Sequence, residues 1–166
     1  MYAFTFEAPA TVAEAAGLAQ AGGKLLAGGQ SLLPSMKLRL SAPEQVVDLN
    51  RISSLAGIRR EGQSFVIGAM TRHADVAANA ELQAAIPALA ELAAHIGDRQ
   101  VRARGTLGGS VANNDPAACY PSALLALGAT VVTDRREIAA DDFFLGMYTT
   151  ALDDGEIITA VRFPIP

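Results

Sequence analysis

Hydrophobic and polar positions alternate from Tyr2 to Phe6, an aromatic and small-residue pattern that predicts a short strand ending in the Ala8-Pro9 turn. The period then lengthens. Thr11 has the chemistry of a helix cap with Glu14 three residues on, and Val12, Ala15, Ala16, Leu18 and Ala19 supply the apolar face of the helix that follows. Gly22-Gly23 stops it. Lys24 to Ala27 is a short apolar strand ended sharply by Gly28-Gly29, which leads into Gln30, Ser31, Leu32 and Leu33, and Val46 to Leu49 reads as another strand. A β-α-β start of this kind predicts a small parallel sheet with one covered face.

The pattern changes after Asn50. Leu55 to Ile58, Ser64 to Ile67 and Thr130 to Thr133 read as short strands, with helices over Asp75 to Ala80 and Ile86 to Ala94, the second closing at Gly97. Val101 to Asn114 carries few helix signals and reads as a functional loop. Pro121 opens a further apolar helix that runs through Leu127 and stops at Gly128, Asp141 to Tyr148 reads as a short helix, and Glu156 to Phe163 as a final strand. The chain thus divides near Asn50 into two tightly packed lobes, residues 1–50 and 51–166, with a ligand cleft expected between them. The strand from Ile158 to Phe163, so close to Pro166, is expected to leave an unshielded edge and an exposed apolar area, as a section of a longer polypeptide would.

Composition narrows the classes of function. The 166 residues are enough to bury roughly two thirds of the unfolded surface without disulfide or metal staples. The 51% hydrophobic content is high enough to expect some apolar surface facing a partner. A net charge of -4, from 13 basic and 17 acidic residues with no basic block, gives no footprint for nucleic acid or an anionic membrane. The single Cys119 and the two histidines, His73 and His95, argue against a disulfide framework and a metal cluster. Met1 to Glu7 lacks the character of a secretory signal, and no apolar run is long enough to span a bilayer, so a cytoplasmic protein is expected.

Two glycine-rich stretches carry the candidate chemistry. In Ala27-Gly28-Gly29-Gln30-Ser31, paired glycines after a strand permit positive φ and let consecutive backbone N–H groups converge on an anion, with side-chain donors from Gln30 and Ser31 and a helical turn starting near Ser31. A pyrophosphate suits that chemistry; the plain alternative is a turn. The spacing is neither a P-loop nor the dinucleotide fingerprint of doubly wound folds. In Arg104-Gly105-Thr106-Leu107-Gly108-Gly109-Ser110, two hydroxyls flank a glycine pair, and the following Asn113-Asn114-Asp115-Pro116 offers groups for ribose, ribityl or adenine edges. Its alternative is a solvated turn that satisfies its own backbone. Arg102 and Arg104 would share one face of an extended segment, available to a phosphate or paired with Asp98 or Asp115. His95 reads as a helix C-terminal packing group, and Cys119 has no base at motif spacing. A holder of a cofactor explains the lack of a nucleophile better than a hydrolase does.

Ala27 to Pro34, His95 to Arg102 running into Arg104 to Ser110, Ile67-Gly68-Ala69-Met70-Thr71 and Asp115 to Ala118 together resemble the FAD-binding medium subunit of the molybdenum hydroxylases, the family of carbon monoxide dehydrogenase medium subunits and the xanthine dehydrogenase FAD domain. The resemblance runs from Tyr2 to Phe163. It implies an α+β fold, with a small βαβ lobe, a larger and mainly antiparallel lobe, and FAD between them. It also implies contacts to the cofactor from Ala27, Gly28, Gly29, Gln30, Ser31, Leu32, Thr106, Gly108, Gly109, Ser110, Asn113 and Asp115. The implied partners are a molybdenum-cofactor large subunit and a 2Fe-2S small subunit, with electrons passing through the clusters and the flavin to NAD, oxygen or another acceptor. Two departures stand out: Cys119 occupies a place where many relatives carry aspartate, and the family's further C-terminal domain is not present. A non-catalytic assembly or regulatory module that keeps the flavin-domain fold is the competing class.

Overall fold

The computed structural model describes all residues from Met1 to Pro166. Strand β1 (Thr5–Glu7), helix α1 (Val12–Gln20), strand β2 (Lys24–Leu26), helix α2 (Leu32–Lys37) and strand β3 (Gln45–Asp48) form the first unit, a parallel sheet of order β1-β3-β2. Thr11 caps α1 by accepting a bond from the Glu14 amide at 3.2 Å, and the Glu14 carboxylate accepts one from the Ala10 amide at 3.1 Å. Both bonds satisfy donors that a helix N-terminus leaves free. The fully buried Ala15 allows α1 to lie close to the sheet, where Val47 is also fully buried. Gly22, at φ +100°, reverses the chain into β2.

Beyond Asn50 the chain builds β4 (Ile58–Glu61), β5 (Ser64–Gly68), α3 (His73–Ala78), α4 (Ala80–Ala85), α5 (Pro87–His95), α6 (Arg99–Arg104), α7 (Leu107–Asn113), α8 (Tyr120–Ala126), β6 (Thr130–Thr133), β7 (Glu137–Ala139), α9 (Ala140–Phe143), β8 (Phe144–Gly146), β9 (Thr149–Thr150) and β10 (Ile158–Pro164). Five of these strands form an antiparallel sheet of order β4-β5-β10-β6-β7, while β8 and β9 form a separate hairpin. The α+β class therefore holds, with one parallel and one antiparallel sheet. No helix is long and apolar enough to cross a membrane.

Several expected elements differ. Leu55 to Ile58 is not one strand: Ser53–Leu55 is a 3-10 turn that drives Leu55 into the core, Gly57 sits at φ +118°, and β4 starts only at Ile58. The helix expected over Asp141 to Tyr148 lasts from Ala140 to Phe143 before the β8–β9 hairpin takes over. The stretch from Val101 to Asn114 is not a loop but the end of α6 and all of α7. Strand β10 is no edge either, because β5 and β6 pair along its two sides. The large exposed apolar side chains lie elsewhere, among them Tyr2 and Phe6 near the start of the chain, Leu38 and Leu40 after α2, and Leu145, Met147 and Tyr148 on the hairpin.

A large core joins the five-stranded sheet to α3, α5, α7 and α8 through Phe65, Ile67, Val76, Leu89, Leu107, Tyr120 and Phe163. A smaller core joins Ala15, Ala16 and Val47 of the first unit to Ile52, Leu55, Met70 and Ile157. Side chains from both sides of Asn50 thus share one apolar cluster, which holds the two sheets in fixed relation.

His73 is buried beneath the α6–α7 corner beside the ring of Tyr120, the ring centroids being 5.4 Å apart. Neither His73 Nδ1 nor the Tyr120 hydroxyl has a hydrogen-bond partner. Burial, and secondarily the charge of Arg72, pushes the His73 pKa down to about 4. Burial likewise pushes the Tyr120 hydroxyl above its ordinary value. The sign for His73 follows from linkage: below its unfolded value of about 6.5, the unfolded chain takes up the proton first. Stability should therefore fall by about 1.4 kcal/mol per pH unit between roughly pH 6.5 and pH 4 and then level off as far as this group is concerned. Urea unfolding at pH 7, 5.5 and 4 checks this, with His73→Phe expected to flatten that part of the profile. An unchanged slope in the variant would assign the loss to other groups.

Candidate cofactor site

The two glycine stretches meet. Strand β2 ends at Leu26, and the chain passes Gly28 directly against the corner between α6 and α7. A Cβ placed on Gly28 would lie 2.2 Å from the Arg104 carbonyl oxygen and 2.7 Å from Gly105 Cα. Only a residue without a side chain permits that approach. One residue away, a Cβ on Gly109 would lie 3.3 Å from Ala27 Cβ. Gly28 therefore packs backbone on backbone, and its absent side chain serves the contact between loops. Gly29, at φ +75°, then turns the chain outward toward Leu33.

Helix α7 is docked just as closely. The Leu107 amide donates to the Thr71 carbonyl at 3.0 Å, the Gly108 amide to the Ala69 carbonyl at 2.8 Å and the Gly109 amide to the Thr106 hydroxyl at 3.2 Å. The Ser110 amide donates to the Thr106 carbonyl at 3.1 Å. Gly108 has no room for a side chain, since its Cβ would come within 2.5 Å of Ala69 Cβ. The expected surplus of backbone donors from the second glycine pair is thus corrected: the Gly108 amide holds α7 to the segment after β5, and the Gly109 amide is taken by the Thr106 cap. On that side the groups left without a partner are the side chains of Ser110 and Asn113, both half-buried.

The first loop is different. The backbone N–H groups of Gly28, Gly29, Gln30, Ser31 and Leu32 find no acceptor anywhere in the chain. Gln30 Nε2 donates to the Gly28 carbonyl at 3.1 Å, which braces the loop, and Ser31 precedes α2 without a side-chain capping bond. Five consecutive free amides, beginning at the buried Gly28, make a concentration of partial positive charge suited to an anion with several acceptor oxygens.

Asn114 and Asp115 follow the turn reading. Asn114 closes α7 in the left-handed region at φ 42°, and its Nδ2 donates to the carbonyls of Gly146 at 2.7 Å and Thr149 at 2.9 Å, fixing the hairpin. Asp115 accepts from the Ala117 amide at 2.9 Å, and its charge is the main cause that raises the pKa of the exposed Tyr148 hydroxyl. Arg102 and Arg104 lie in a helix, so they do not share one face as an extended segment would allow. Neither forms the expected ion pair. Arg102 donates to the Ile96 carbonyl at 3.1 Å and the Gly97 carbonyl at 3.3 Å, while Asp98 caps α6 by accepting the Val101 amide at 2.7 Å. His95 Nδ1 lies 2.8 Å from the Glu91 carbonyl oxygen, in line with a packing role. Cys119 is exposed, and its carbonyl accepts the Ser122 hydroxyl at 2.8 Å.

Two residues not singled out in the sequence complete the junction. Arg72 donates through Nη1 to the Arg104 carbonyl and through Nη2 to Asn50 Oδ1 at 2.7 Å. Asn50 Nδ2 donates in turn to the Ala27 carbonyl at 3.2 Å. No local pattern announces them, since Ala27, Asn50, Arg72 and Arg104 come from four separate stretches. The only sequence cue is that Arg72 directly follows Ile67 to Thr71, the stretch on which α7 docks.

Fold and junction together define a flavin-binding domain, and the chain belongs to the family described as the FAD binding domain in molybdopterin dehydrogenase, whose sequence model matches residues 2–166. The chain is 47% identical to the carbon monoxide dehydrogenase medium chain of Hydrogenophaga pseudoflava, covering 97% of this chain and 58% of that protein. It is 40% identical to the nicotine 6-hydroxylase medium subunit of Paenarthrobacter nicotinovorans, covering 98% and 59%. Among solved structures, carbon monoxide dehydrogenase from Hydrogenophaga pseudoflava superposes with a TM-score of 0.96 at 45% identity, covering 99% of this chain and 60% of that one. Quinoline 2-oxidoreductase from Pseudomonas putida 86 gives a TM-score of 0.95 at 36% identity, covering 99% and 60%. The chain spans less than two thirds of the length of these relatives.

Proposed function

We propose that this chain holds FAD with its diphosphate on the loop from Gly28 to Leu32 and serves as the flavin part of a molybdenum and iron-sulfur hydroxylase or dehydrogenase. The single observation that carries the placement is the run of five amides without an acceptor, because a diphosphate supplies several oxygens to one such run. Ala27 and Gly28 hold the loop against α6 and α7. Gln30 stiffens it through its bond to the Gly28 carbonyl, and Ser31 adds a hydroxyl. Across the junction, Ser110 and Asn113 offer uncommitted side-chain groups for the sugar or ribityl part. Thr106, Gly108, Gly109 and Asp115 act on this reading by shaping the second wall, and Leu32 contributes an amide together with apolar cover. Residues 1–50 and 51–166 form the two lobes, locked by the core that Ala15 and Val47 share with Ile52, Leu55 and Met70.

FAD supplies the capacity to take up and pass on electrons singly or in pairs; the chain's own residues bind it, orient it and restrict water around it. The proposed partners are a molybdenum-cofactor large subunit and a 2Fe-2S small subunit, with NAD, oxygen or another molecule as final acceptor. Names of relatives such as the carbon monoxide dehydrogenase medium chain and the nicotine 6-hydroxylase medium subunit support this reading. Native purification of the full-length protein, followed by subunit mass, flavin and metal analysis, tests it. The expected result is a complex that contains FAD, molybdenum and iron. A colourless protein without partners that takes up no FAD would instead support an assembly or regulatory module.

A further inference from the structure

We infer that Arg72 and Asn50 form a positioning strut for the anion-binding loop, joining its first carbonyl to the α6–α7 corner and so setting where the amides from Gly28 to Leu32 stand. This rests on the placement of the FAD diphosphate proposed above. The strut is a continuous chain of polar contacts. The planar guanidinium spans two acceptors at once, the Arg104 carbonyl and Asn50 Oδ1, and Asn50 Nδ2 reaches the Ala27 carbonyl.

Both ends of the strut are fixed. The Arg104 carbonyl is the atom against which Gly28 packs, so the guanidinium grips the corner at the point the loop touches. Arg72 itself is anchored by an antiparallel bridge to Thr106, and the neighbouring His73 amide donates to the Gly105 carbonyl at 3.0 Å. Asn50 is held from its other side by Asp48, whose Oδ1 accepts both the Asn50 amide, at 3.1 Å, and the Asn50 side chain.

Arg72 has no carboxylate within ion-pair distance, and both its acceptors are neutral oxygens. What the site uses is the fork geometry, which places two parallel donors at a fixed angle. Lysine keeps the charge but cannot bridge the two acceptors. Asn50 is exposed, and its truncation removes the bond to Ala27 without opening a cavity in the core.

The test uses the whole chain with FAD followed by quenching of flavin fluorescence, and with thermal unfolding recorded for each variant. Arg72→Lys and Asn50→Ala should each weaken FAD affinity about tenfold, the scale of losing a hydrogen bond to a charged or loop-fixing group. The double variant should be little weaker than either alone, since both changes break the same strut. Melting temperatures of Asn50→Ala and wild type should agree within a few degrees, whereas a general structural defect would move melting and affinity together. Wild-type affinity in Arg72→Lys, or additive losses in the double variant, would overturn the strut while leaving FAD on the loop. Failure of the wild-type chain to bind FAD would remove the placement on which the strut depends. Should Arg72→Lys not fold, Asn50→Ala alone decides, because unaltered affinity in that variant refutes the inference.

Discussion

Gly28→Val is expected to weaken FAD binding by more than about a hundredfold, equivalent to roughly 3 kcal/mol. The added Cβ would stand 2.2 Å from the Arg104 carbonyl oxygen and 2.7 Å from Gly105 Cα. Those are backbone atoms that cannot swing aside, so the loop must move bodily away from the α6–α7 corner. Overpacking of this kind also costs stability, on the order of 1–3 kcal/mol. Gly29→Val makes the informative comparison. Its φ of +75° strains any β-branched residue, but the obstructing atoms are the ends of the Leu33 and Leu26 side chains, the nearest at 2.8 Å, which can repack. Its penalty should be smaller, about 1–2 kcal/mol. Fluorescence titration and thermal unfolding of the two variants check the order; a folded Gly28→Val protein with wild-type affinity would refute the packing argument.

Glu156→Ala carries the second large effect, through a polar network at the entry to β10. The Glu156 side chain is fully buried just before β10, against the turn that joins β6 to β7. Its carboxylate accepts from the Thr133 hydroxyl at 2.7 Å, from Arg136 Nε at 3.0 Å and Nη2 at 2.8 Å, and from the Asp153 amide at 2.8 Å. Removing it takes the acceptor from the Asp153 amide and breaks the bonds to Thr133 and Arg136, which keep other partners, for an expected loss of about 2 kcal/mol. The hydrogen bond from Arg136 is the leading cause that holds the Glu156 pKa at about 2. A carboxylate depressed in the folded state adds stability that is fully present above its unfolded pKa. That stability is lost as pH falls from about 4.5 toward 2. Wild-type protein should lose about 1–2 kcal/mol across that window from this group, the exposed guanidinium of Arg136 being partly screened by solvent, whereas Glu156→Gln should begin lower at pH 7 and stay flatter. Chemical denaturation at pH 7, 4.5 and 2.5 reads both effects. A Gln variant as stable as wild type at neutral pH would show that the network contributes little.

The first unit was legible because each of its signals is local. A Thr-x-x-Glu start, paired glycines at both turns and three short apolar runs give the parallel sheet without knowledge of the rest. The corner formed by α6 and α7 was not legible for a physical reason. Its helices have six and seven residues, and Gly105, Gly108 and Gly109 oppose helix formation by propensity. Close approach to Gly28, His73 and Ala69 overrides that preference. The caps were present in the sequence: Asp98 three residues before Val101 and Thr106 three before Gly109. The division of labour between the glycine pairs was hidden as well, since only the fold shows that Ala69 and the Thr106 hydroxyl consume the second pair's donors while the first pair's remain free. Strand β10 was recognised as a strand, but its central place depends on β5 and β6, which come from distant parts of the chain.

Whether the amides from Gly28 to Leu32 hold the FAD diphosphate is read out by backbone amide NMR of the protein during titration with FAD. The resonances of Gly28, Gly29, Gln30, Ser31 and Leu32 should shift saturably with one equivalent of FAD. ADP, which carries the diphosphate without the flavin, should shift the same set. The amides of Leu107 and Gly108 should respond far less, because their hydrogens are already committed to Thr71 and Ala69. Saturable shifts that avoid residues 28–32 and centre on another surface, or no response to FAD at all, would rule out a diphosphate site on this loop.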